Sequence, residues 1–216
     1  LDDLASRVIT PSFLGIATLL FEELGFAGNN RDYLNPRNSY LEQVLESRKG
    51  IPISLAVVML EVCRRCGVEA CGIGMPGHFL VGDKDDATQL LDPFRGKIIS
   101  SMEAENLFAY LNPSAEFRPE FLEETSNSTI LLRMLNNLRL IHSKQKSTED
   151  LIRVLDLMVC WESPPLGEVK QLAAALDSLG KTDQAARRLE EIAARSTGDA
   201  KQQIEALSTQ FWRRLN

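Results

Sequence analysis

The sequence predicts an α+β domain followed by an all-α helical-repeat domain, with residues 1–125 in the first and 126–216 in the second. Three observations carry this. From Ile53 to Cys66 nearly every residue is apolar until Glu61, Arg64 and Arg65, and a helix apolar on almost all sides is a buried one. Short apolar runs separated by turn residues follow it, and a buried helix leading into an antiparallel meander argues for α+β. Beyond a polar stretch holding Pro113 and Pro119, Leu138, Leu151, Leu155 and Met158 recur 34 positions later as Leu172, Ala185, Leu189 and Ile192.

Taken in order, residues 3–27 read as helical, with Phe13, Ile16, Ala17, Leu20, Phe21 and Leu24 at helical spacing. Gly25 and Gly28-Asn29-Asn30 stop it, and Asn35-Pro36-Arg37-Asn38 forms a second turn. Tyr40, Leu41, Val44 and Leu45 mark one short helix that Gly50 ends. Pro52 then opens the core helix at a position where its missing N–H loses no hydrogen bond. Val68–Gly74, His78–Gly82 and Gln89–Asp92 read as strands, joined through Met75-Pro76-Gly77 and the polar loop Asp83-Lys84-Asp85-Asp86. Residues 103–125 read as a polar connector. In the C-terminal part a 34-residue period with paired helices is the tetratricopeptide spacing; Lys146 and Gly180 fall in matching turns, and Pro164 and Pro165 end the first unit. Residues 199–215 supply a capping helix through Ile204, Leu207, Phe211 and Trp212.

Composition narrows the function. The 216 residues carry a net charge of −6, and Lys and Arg are outnumbered, so nucleic acid is not the expected partner. The apolar run Phe13–Phe21 is too short to span a bilayer, and no basic stretch precedes it as in a signal peptide. The chain begins at Leu1, so the native start can lie upstream. Cys63, Cys66, Cys71 and Cys160 read as reduced thiols, which points to the cytoplasm.

His78 and Asp92 are the leading candidates for chemistry. On neighbouring strands of a hairpin their side chains could meet on one face, where a carboxylate would hold an imidazole in one tautomer. The alternative is a His packed beside a Pro-Gly turn and an Asp that opens an Asp-Pro turn. A nucleophile would belong at the helix N-terminus, where the dipole favours an anion. Ser54 is the nearest hydroxyl, but it lies about 200° around the helix from position 52 and could instead bond local backbone. Cys63, Cys66, Cys71 and His78 make a four-ligand zinc set on paper, yet the first two fall mid-helix in an apolar face, so no metal or other cofactor is expected. Arg37, Asn38 and Tyr40 precede the core helix and either frame a cleft or simply cap and turn. Trp161 and Trp212 read as core or capping residues of the repeats.

The segments YLNPRNSYL (Tyr33–Leu41), RKGIPISLAVVMLEVCRRCG (Arg48–Gly67), PGHFLV (Pro76–Val81) and LDPF (Leu91–Phe94) together resemble bacterial transglutaminase-like proteins that carry a C-terminal tetratricopeptide segment. A related domain occurs in a eukaryotic F-box protein. The resemblance implies a transglutaminase/papain-like core, in which a helix N-terminus, a His and an Asp follow in that order. Enzymatic members open their helix with Gly-x-Cys and place an Ala four residues after the Cys. Gly50 and Ala56 match that pattern, His78 matches the catalytic His and Asp92 the catalytic Asp, but Pro52 stands where the Cys belongs. The resemblance thus implies a protein without the usual nucleophile, and the expected function is binding of a peptide or protein partner through cleft and repeats. The enzymatic alternative is a hydrolase or acyl-transferase using Ser54, His78 and Asp92.

Overall fold

In a computed structural model, which describes residues 1–161 and 164–215, the chain divides into two compact units, residues 1–134 and 135–216. The division falls inside a helix, Asn127–Gln145, rather than near 125. The reason lies in that helix's first half: Ile130 joins the core of the first unit, and Arg133 donates from Nη2 to the carbonyls of Met75 (3.3 Å) and His78 (2.9 Å).

The first unit is built around helix α4, Pro52–Cys66. Before it come α1 (Asp2–Ser6), α2 (Phe13–Ala17), a π-helical turn over Thr18–Glu23, β1 (Ala27–Gly28), α3 (Leu41–Ser47) and β2 (Lys49–Gly50). The expected continuous helix over 3–27 is therefore broken. Pro11 lies in the gap, and Ser12 caps the second piece by accepting from Gly15 N. The short helix α3 ends not at Gly50 but at Arg48, whose φ of 58° is left-handed. Its Nη1 donates to Leu24 O and its carbonyl accepts from Ala27 N, and these bonds offset the steric cost of that conformation.

After α4 the strands β3 (Ala70–Ile73), β4 (Leu80–Asp83), β5 (Leu90–Asp92) and β6 (Lys97–Ile99) form one antiparallel meander in sequence order. Side chains alternate across it. Val81 and Leu91 face the cluster around α4, whereas Leu80 and Leu90 face a second cluster. That second cluster is closed by helix α5, Ser101–Leu111, through Ala104, Leu107 and Phe108. Neither β6 nor α5 was expected; residues 103–125 read as a connector because the apolar stripe of α5 is narrow. Ser100 and Glu103, which bond each other's backbone N–H as a capping box, were the available signal. His78 also departs from expectation, lying in the turn two residues before β4 rather than on a strand.

The second unit is helical. It holds the rest of α6 (Asn127–Gln145) and α7 (Thr148–Met158), α8 (Leu166–Ser178), α9 (Thr182–Arg195) and α10 (Gly198–Arg213). Leu155, Leu172, Leu189 and Ile204 share its core. Trp161 and Trp212 pack against that core part-buried, and the Trp212 indole N–H donates to Glu190.

Two expectations follow. Leu55, fully buried in α4, should lose about 2–5 kcal/mol of stability on replacement by Ala, a large-to-small core change; denaturant titration checks this. Burial pushes the Cys63 thiol up to about 12, and the thiolate is the reactive form. At neutral pH a thiol reagent should therefore modify exposed Cys160 quickly and Cys63 only when the protein unfolds, as mass mapping of the adducts would show.

Candidate functional site

Asp92 closes β5 and is wholly buried. Its Oδ1 meets His78 Nε2 at 2.9 Å and accepts from the backbone N–H of Phe94 (3.0 Å) and Arg95 (3.3 Å). Buried polar groups are almost always hydrogen-bonded in this way. The Asp-Pro turn and the imidazole contact, which the sequence left as alternatives, thus coexist: the same oxygen that starts the turn holds the ring. Among the described residues Oδ2 has no hydrogen-bond partner, and Arg95 Nε lies 3.7 Å from it.

His78 is held from several sides. Its backbone N–H donates to Met75 O at 3.0 Å, and Arg133 donates to its carbonyl. Arg133 also lies over the Phe79 ring. Asn112 Nδ2 donates to Pro76 O at 3.0 Å, tying the Pro76-Gly77 turn to the end of α5. The ring stands edge-on to Phe94 at 6.4 Å, and Phe94 in turn meets Tyr33 at 5.8 Å. Phe94 lies so close to Gly28 that a Cβ there would sit 2.4 Å from its ring, so only glycine fits. With Nε2 turned to Asp92, the imidazole keeps Nδ1 for another partner, and a neutral ring with its proton on Nε2 presents Nδ1 as a base.

A cleft of about 700 Å³ opens beside His78. Pro52, Tyr33, Arg95, Lys97 and Tyr110 are among the residues that wall it. Desolvation raises the Tyr33 phenol above its ordinary pKa. Position 52 therefore faces the same space as His78, and it presents a pyrrolidine ring without a nucleophilic atom.

Ser54 is not among the lining residues. It is fully buried, and its hydroxyl donates to Asn38 O at 2.6 Å, lies 3.1 Å from Ile51 O and accepts from Ile51 N at 3.1 Å. A Cβ on Gly50 would come within 2.7 Å of that hydroxyl, so the glycine makes room for the serine. Arg37, Asn38 and Tyr40 do not line the cleft either. Asn38 is buried and works from behind: its Nδ2 donates to the carbonyls of Asp32 (2.7 Å) and Tyr33 (3.1 Å), and its Oδ1 accepts from Asn29 at 3.0 Å. It thereby shapes the 29–35 loop that carries Asn30 and Tyr33 into the cleft wall. Arg37 is exposed in the middle of the short 3₁₀ turn Pro36–Asn38, and Tyr40 opens α3.

Sequence reasoning missed Arg95, Lys97, Tyr110, Asn112 and Arg133. Arg133 left a trace, a lone cation inside the apolar run Ile130–Leu135; the others sit in elements read as loop. Among the described residues, no group of three or more His, Cys, Asp or Glu side chains is arranged to hold a metal ion. Nor is any helix among them long and apolar enough to cross a membrane.

Comparison with known proteins gives this geometry a family. The transglutaminase-like superfamily model matches residues 7–136. A UPF0162 protein of Xylella fastidiosa is 39% identical over 145 residues, covering 63% of this chain and 51% of that protein. Its counterpart in Vibrio cholerae is 31% identical over 148 residues, covering 67% and 55%. F-box only protein 21 of Mus musculus is 44% identical over 63 residues, which are 29% of this chain and 10% of that protein. The chain thus spans about half the length of the bacterial relatives it matches. No solved structure matches it. The superfamily match covers more than half of the chain and includes the whole helix–turn–sheet segment that builds the cleft, so the chain belongs to the transglutaminase-like superfamily.

Proposed function

We propose that this is a divergent transglutaminase-like protein without a cleft nucleophile, which binds a peptide or protein segment rather than transferring an acyl group. The observation that carries this reading is Pro52. It walls the cleft that His78 also lines, at the N-terminus of α4, where the family resemblance places a cysteine and where a thiolate would be stabilised. Ser54, the other candidate, is committed to backbone partners on the far side of the helix start. On this reading Ser54 and Asn38 position the cleft loops, and His78 with Asp92 fixes the opposite wall.

The repeat reading belongs to the same proposal. Support comes from the paired positions Leu138 and Leu172, Leu151 and Ala185, Leu155 and Leu189, and Met158 and Ile192, all buried in the second unit's core. Lys146 and Gly180, which match in the 34-residue register, are both left-handed, with φ of 57° and 74°. A tetratricopeptide-like array would add a concave surface for a chain segment. Cytoplasmic location is likewise part of the proposal and rests on four unpaired cysteines.

Two substitutions test it. Ser54→Ala removes the closer of two acceptors of the buried Ile51 N–H and the donor to Asn38 O, so it should cost about 1–3 kcal/mol of stability; chemical denaturation reads this. Pro52→Cys should place a thiol at the helix start whose alkylation is faster than that of a free cysteine and slows in the Pro52→Cys/His78→Ala double variant. The parent protein should show no amine incorporation into glutamine peptides and no amidase turnover. Turnover by the parent protein that is lost in both Ser54→Ala and His78→Ala would install the Ser-His-Asp hydrolase in place of this reading.

A further inference from the structure

The chain is acidic, yet the cleft is lined by cations. Arg95 and Lys97 both border it, and none of the described residues lining it is Asp or Glu. The same two cations border a second recess of about 490 Å³, which continues over Ile99 and Asn106. Arg95, Lys97, Leu107 and Tyr110 are common to both recesses, so the two form one groove with the cations partway along it. The one carboxylate among the described residues lining it, Glu103, is committed to Ser100, accepting from its N–H at 2.8 Å and its hydroxyl at 2.9 Å. Those bonds hold the Glu103 carboxyl below its ordinary pKa.

Neither cation is neutralised at close range by a solvent-facing acid. Among the described residues Lys97 has no ion-pair partner, and Arg95 has only the 3.7 Å approach of its Nε to buried Asp92. The Arg95 side chain is 54% exposed, which leaves a guanidinium edge for a bidentate carboxylate contact. Beside the cations stand exposed apolar surfaces, Tyr110 at 80% and Tyr33 at 46% exposure. His78 adds a directional group: its ring is nine-tenths buried, and among the described residues Nδ1 has no protein partner.

We infer that this groove binds an extended acidic peptide, seating an internal Asp or Glu carboxylate on Arg95 and Lys97 with apolar neighbours on Tyr33 and Tyr110. The inference rests on the peptide-binding reading above and names the chemistry of its ligand. An internal acid is favoured over a chain terminus because the groove continues on both sides of the cations. His78 Nδ1 accepts a backbone N–H from the same segment. Charge supplies selectivity here, since a basic segment would meet Lys97 and the exposed edge of the Arg95 guanidinium.

A phage-displayed random dodecapeptide library panned on the whole protein tests this. The expected result is enrichment of Asp or Glu flanked by aliphatic or aromatic residues, absent on an Asn30→Trp variant that fills the cleft. A synthetic peptide from the enriched set should bind about tenfold or more weakly when its acid becomes Gln, or when the protein carries Arg95→Gln and Lys97→Gln together. Added salt should weaken binding of the acidic peptide and leave that of its Gln form unchanged. Circular dichroism confirms that the double variant is folded; if it is not, Lys97→Gln alone supplies the comparison. Enrichment without acids, lost on Asn30→Trp, would overturn the acidic preference and leave the peptide-binding reading standing. Enrichment of peptides whose only acid is the terminal carboxylate would likewise overturn it. Peptides retained equally by Asn30→Trp, or no enrichment at all, would overturn both.

Discussion

One buried carboxylate organises the first unit. Asp92 Oδ1 gathers the His78 ring and two successive backbone N–H groups, so the end of β5, the turn after it and the turn before β4 are fixed to a single atom. Phe94 is positioned by that turn, and its ring then covers Gly28 and meets Tyr33. Removing the imidazole would leave that buried oxygen one hydrogen bond short, and removing Asp92 would leave the ring and both N–H groups without it. For that reason the pair holds the cleft wall together whether or not it moves a proton.

The opposite wall depends on a different economy of space. Gly50 lacks a side chain, Ser54 fills the gap, and its hydroxyl joins Asn38 O to the start of α4. Asn38 in turn orders the loop that brings Tyr33 forward. Pro52 is what remains facing the space between the walls. His78 has an acid behind it, and Pro52 across the cleft carries no nucleophilic atom. On the proposed reading these walls serve recognition, since the hydrogen bonds that fix a ring also make a rigid binding surface.

Much of this was legible in the sequence, and the losses have physical causes. The central helix was readable because burial on every side leaves an almost unbroken apolar run. The sequence offered a His78–Asp92 meeting as one of two readings, from their places on neighbouring hairpin segments, and the two side chains do meet although His78 sits before its strand. Helix α5 was missed because it buries only Ala104, Leu107 and Phe108 among exposed residues, a weak periodic signal between turn-forming stretches. Its loss hid Tyr110 and Asn112 as well. For Arg37, Asn38 and Tyr40, which lie close in sequence to the core helix, a cleft wall and a capping turn were both open readings. The side chain of Asn38 instead points into the protein, and nothing in a one-dimensional pattern distinguishes an amide that lines a cleft from one that braces the loop behind it. Arg95 and Lys97 were invisible for a related reason: their common groove is assembled from a strand, a turn and a helix that was not expected.

The proposed function requires that no working nucleophile stand beside His78. Its most direct test is intact-mass analysis of the protein after exposure to a fluorophosphonate probe, with peptide mapping of any adduct. The account predicts no adduct at Ser54, because that hydroxyl is buried and bonded to Asn38 and Ile51. Stoichiometric labelling of Ser54, abolished by His78→Ala, would contradict it.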